Sequence, residues 1–63
     1  MYLTREVLIK TIVAEEMKDN SGSDYVQNLK DAYHRWEHQS SEILCTHYNK
    51  IRQSDITVES LLP

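Results

Sequence analysis

Residues 24–53 read DYVQNLKDAYHRWEHQSSEILCTHYNKIRQ, a run with neither Gly nor Pro. At roughly 100° per residue, Leu29, Ala32, Tyr33, Trp36, Ile43, Leu44 and Ile51 fall on one side of a helix, with Tyr25 and Tyr48 at its margin. Lys30, His34, His38 and Cys45 lie toward the other side. The stripe keeps its register across the polar Gln39-Ser40-Ser41, so the pattern predicts one continuous helix from 24 to about 53. A separate helix starting at Ser41-Glu42, or a kink near Ser40, is the competing reading.

Upstream, Asn20-Ser21-Gly22-Ser23 is the one strong break, because Gly22 tolerates the backbone conformations that end helices and Asn and Ser supply turn chemistry. Asp24 is placed to cap the long helix, with Gln27 completing a capping box. A first helix is predicted over about 4–20. Thr4 serves as its N-cap, Leu3 and Leu8 form a hydrophobic staple, and Leu8, Ile9, Ile12, Val13 and Met17 make an apolar face. The β-branched alternation of Val7, Ile9, Thr11 and Val13 also fits a strand. Helix is preferred because Leu8 and Ile12 would make both strand faces apolar, and because the chain runs on into Ala14-Glu15-Glu16-Met17-Lys18. Widened by Leu3, Val7 and Ala14, the arc suits contact with more than one neighbour. The Ser54–Pro63 tail carries Ile56, Val58, Leu61 and Leu62 and reads as a short helix or an extended arm.

The fold class expected is therefore all-α, a single domain over 1–63. It is a helical hairpin of short and long helices (about 4–20 and 24–53) with a C-terminal tail. At ~1.5 Å per residue the helices would span about 25 and 45 Å, so the first would leave Ile43, Leu44, Tyr48 and Ile51 uncovered. A contiguous exposed apolar patch marks an interaction site. The tail is short, so a second copy is the expected cover, giving a two-fold dimeric four-helix bundle. Its interface is assigned to Leu29, Tyr33, Trp36, Ile43, Leu44, Tyr48, Ile51, Ile56 and Leu61. Ser40 and His47 would sit within that seam and could fix its register.

Composition bounds the function. Sixty-three residues bury little surface, and such chains lean on staples or self-association. The single cysteine forms no disulfide within the chain and suits a reducing, cytoplasmic setting. Neither a charged-then-apolar leader nor a membrane-length apolar run is seen. Seven basic against ten acidic residues give a net charge of −3, which argues against nucleic acid as partner. Four Tyr and one Trp, with no Phe, favour surfaces that are dry at one end and wet at the other.

His34-Arg35-Trp36-Glu37-His38 fits the H-x-x-E-H pattern of inverted zinc proteases, and two His at i and i+4 share a helix face. A protease site also needs a third ligand, an open coordination position and a substrate cleft, which so short a chain can hardly build. A non-catalytic zinc site of His34 and His38, with Glu42 one turn further on, is the competing reading, and surface imidazoles are the expectation. Cys45 lacks a histidine three or four positions away and reads as a partly buried thiol. Asp31 and Arg35, like Glu6 and Lys10, read as solvated i,i+4 pairs. No catalytic residue, metal, cofactor or small-molecule ligand is expected. The reading is a small non-catalytic regulatory or adaptor protein, of the kind bacteria and phages encode, that acts by protein–protein contact as a homodimer. The alternative is a compact helical nucleic-acid-binding regulator, which would need Arg5, Lys10, Lys30, Arg35, Lys50 and Arg52 on one dimer face.

Overall fold

Thr4 begins the first helix in extended backbone, and its Oγ1 accepts a hydrogen bond from the Val7 amide at 3.2 Å. In the computed structural model, which describes residues 3–62, helix α1 then runs Arg5–Met17. Its Leu8, Ile9, Ile12, Val13 and Met17 are all buried, with Leu8 completely so. The strand-like alternation of 7–13 thus yields to helix. The broad apolar arc has its two neighbours: α1 packs against α2 (Tyr25–Glu37) and against α3 (Ser41–Arg52). The fold is all-helical, and α1 is its centre. Gly22 takes a φ of 118° in the α1–α2 connection, a value that an L side chain rarely adopts. Asp24 stands at the start of α2 without a side-chain capping bond, so the capping box expected with Gln27 is not formed. Gln27 instead donates to Asp31.

The predicted hairpin is corrected here. Residues 24–53 form two helices, interrupted at His38-Gln39-Ser40. Ser40 leaves the helix for extended backbone, and its Oγ accepts from the Ile43 amide at 3.2 Å, an N-cap that starts α3. Arg5 closes the break from the far side. Its Nη1 donates to Ser41 Oγ at 2.9 Å, and its Nη2 donates to the carbonyls of Glu37 and Gln39, each at 3.0 Å. The carbonyls at a helix C-terminus lack intrahelical donors and carry partial negative charge, so a guanidinium fork is well matched to them. The apolar stripe kept its register across the break because both helices face α1.

This change removes the length mismatch. No 45 Å helix projects beyond α1, and a dimer of such chains would bring six helices together rather than four. Nor is the tail too short to cover its own chain. It leaves α3 through Gln53 in the left-handed conformation (φ 52°, ψ 47°). The Ser54 amide caps the helix on the Asn49 carbonyl at 3.2 Å. The Asn49 side chain then clasps the tail: Oδ1 accepts from Ser54 Oγ and from the Ile56 amide, and Nδ2 donates to the Ile56 carbonyl, all at 3.0 Å. After a 3₁₀ turn at Val58–Ser60, Leu61 pairs with Leu3 as an isolated parallel bridge, and the Leu62 amide donates to the Leu3 carbonyl at 2.8 Å. The tail is both of the forms considered for it, a short turn set between extended arms.

Candidate interaction surface

The residues assigned to an interface divide sharply once placed. Leu44 and Tyr48 are buried, in one cluster with the α1 core and with Ala32 and Cys45. Leu29, Tyr33, Trp36, Ile51, Ile56 and Leu61 pack against that cluster while staying partly exposed. Ile43 alone is open, at 41% exposure. It lies at the junction of α2 and α3, where Arg35, Trp36, Gln39, Ile43 and His47 line a shallow groove of about 210 Å³. The Trp36 and His47 rings meet edge-to-face with centroids 4.9 Å apart, which bridges two helices that otherwise share little contact. Ser40, expected in an apolar seam, is exposed and serves as the α3 cap.

Glu16 on α1 holds the other edge of this surface. Its Oε2 accepts from the Trp36 indole N–H at 2.9 Å, and its Oε1 pairs with Arg35. Arg35 therefore reaches across to α1 instead of pairing with Asp31 on its own helix. The indole has its polar tip satisfied and its ring half-exposed, the disposition suited to a wet-rimmed contact. Glu16 was not legible as a partner, since it lies twenty residues from Trp36 and nothing in the helix period links the two. Other open apolar side chains are Tyr25 and Val26 at the start of α2, and Val58 and Leu62 on the tail. Of these, Val26 was missed because it lies off the apolar stripe, whereas Tyr25 stands at the margin of the stripe and Val58 and Leu62 belong to the apolar tail.

The cations are largely committed. Arg5 is held at the α2–α3 break, Lys10 pairs with Glu6 at 3.3 Å, Lys18 with Glu15 at 2.7 Å, and Arg35 with Glu16. Among the described residues, Lys30, Lys50 and Arg52 enter no such pair.

The thiol of Cys45 is buried, and burial pushes its pKa up, with the Glu59 carboxylate adding to the shift. A raised pKa leaves less of the nucleophilic thiolate. Glu59 is itself held below the ordinary carboxylate value, first by a backbone N–H and then by Thr57. His34 and His38 stand exposed at the end of α2 with ring centroids 4.7 Å apart. No third His, Cys, Asp or Glu joins them among the described residues. Among those residues, also, no helix is long and apolar enough to cross a membrane. Comparison of the chain with protein-family models, with curated proteins and with solved structures finds no match.

Proposed function

We propose that this chain is a small non-catalytic regulatory or adaptor protein that acts through protein–protein contact, and that a second copy of itself occupies the α2–α3 junction. The observation that carries the reading is the placement of Ile43, open to solvent beside a half-buried Trp36 whose indole N–H is already satisfied by Glu16. A contact there gains apolar burial without stranding a polar atom.

Size adds support for a second copy. The accessible surface is 4693 Å², where a compact monomer of this mass has about 4200 Å². The radius of gyration is 12.1 Å, against about 10.6 Å for an ordinary domain of this length. The chain is elongated, 38 Å by 22 Å by 19 Å. Excess surface and length of this kind suit a protomer that completes its packing against a partner.

Sedimentation equilibrium over a range of micromolar concentrations tests the proposal. The wild type is expected to sediment as a dimer, and Ile43→Glu as a monomer with an unchanged helical circular dichroism spectrum. A wild type that remains a folded monomer at high micromolar concentration would overturn the dimer, and association unaffected by Ile43→Glu would move the contact elsewhere.

A further inference from the structure

We infer that His34 and His38 form a binding site for a borderline divalent cation, copper(II) or zinc, with water completing the coordination. This goes beyond the docking surface above and stands whether or not two copies associate. The two residues occupy the last turn of α2 and its C-cap, one helical turn apart on the same face. Their ring centroids lie 4.7 Å apart with planes at 80°. Two imidazoles that hold one ion, each through a ring nitrogen at ~2.0–2.1 Å, place their centroids about 5 Å apart. The rings meet edge-to-face, so holding one ion requires a ring to turn until a nitrogen from each converges on the same point, a movement that their exposure leaves open.

The surroundings agree with a cation. Both rings are exposed, and among the described residues neither is engaged in a hydrogen bond with the protein. They stand at the negative end of the α2 dipole, next to Glu37, in a chain of net charge −3. Of the nearby positive groups, Arg35 is committed to Glu16 and Arg5 to the carbonyls of Glu37 and Gln39, while Lys30, one turn before His34 on the same side of α2, is in no ion pair among the described residues and opposes a cation there. Imidazole donors select copper, zinc and nickel over magnesium or calcium, and copper(II) binds most tightly among the first-row divalent ions. With two protein ligands the coordination sphere keeps open positions, as catalytic and exchangeable sites do and closed structural sites do not.

Calorimetric titration with copper(II) chloride and zinc chloride, with magnesium chloride as control, reads the site directly. One copper or zinc ion per chain is expected to bind saturably in the micromolar range, with no magnesium binding. Zinc should move the ring resonances of His34 and His38 while leaving those of His47 in place. His34→Ala and His38→Ala should each weaken binding at least tenfold, as should His34→Gln and His38→Gln, with circular dichroism confirming the fold. Cys45→Ser should bind as the wild type does. The inference is overturned by binding that survives in the histidine variants, by binding that is lost in Cys45→Ser, or by the absence of saturable binding up to millimolar zinc.

Discussion

Gln53 occupies the left-handed region at φ 52° and ψ 47°, where a side chain crowds the following carbonyl. Glycine is the usual occupant of this position after a helix. Gln53→Gly is therefore expected to stabilise the fold by about 0.5–1 kcal/mol, once glycine's greater freedom in the unfolded chain is set against the relieved strain. Thermal denaturation should show a rise of several degrees; a fall would mean that the Gln53 side chain contributes more than the strain it carries. Four residues earlier, Asn49 offers both a donor and an acceptor to the tail, and all three of its bonds sit in a partly buried setting. Asn49→Ala should cost about 1–3 kcal/mol in urea unfolding. Asn49→Asp separates the two roles. It keeps the acceptor for Ser54 and Ile56 but turns an oxygen toward the Ile56 carbonyl, so it too should destabilise despite its near-identical shape. Neither residue was legible beforehand. Asn49 works at offsets of five and seven, outside any helical period, and a positive φ at glutamine has no sequence signature.

At the scale of elements, the break between α2 and α3 gives a test by sign. Within a continuous helix, Ser40→Ala would stabilise by up to about 0.5 kcal/mol, because alanine is the better helix former. As an N-cap whose Oγ holds the Ile43 amide, Ser40 replaced by Ala should instead cost about 1 kcal/mol. Chemical denaturation reads the sign, and a gain in stability would restore the single long helix. Arg5 adds a tertiary lock: lysine keeps its charge but not a planar fork that reaches Ser41, Glu37 and Gln39 together. The helical character of 24–53, its apolar stripe and the Gly22 turn were all legible, since each depends on local propensity or period. The interruption was not. Both helices rest on α1, so the stripe runs through the break unchanged, and Arg5, thirty-two or more residues away in sequence, supplies the donors that meet the Glu37 and Gln39 carbonyls there.

For the molecule as a whole, the decisive fact is that α1, and not the long stretch after it, supplies the centre of the core. Which side chains are apolar-facing was readable from periodicity; what covers them depends on the angle between α2 and α3, which periodicity does not encode. Leu44 and Tyr48 were thereby assigned to a second chain although their own α1 covers them, whereas Ile43, on the same stripe, is left open. So central a helix makes the fold sensitive to single truncations. Leu8→Ala should cost about 2–5 kcal/mol, comparable with the whole stability of a chain this small, and the variant is expected to lose its cooperative thermal transition. Cys45 gives the core a dependence on pH. Its thiol is neutral in the fold, with a pKa raised above the unfolded value by burial and then by Glu59. The stabilisation linked to this shift is fully present below the unfolded value of ~8.5 and is lost as pH rises through the folded value. The urea midpoint of the wild type should accordingly fall more steeply above pH ~9 than that of Cys45→Ala, which cannot titrate there. Glu59, lowered in the fold, acts in the opposite direction at acidic pH and leaves this comparison untouched. Parallel midpoint curves for the two proteins through the alkaline range would show that the thiol is not held in the core as described.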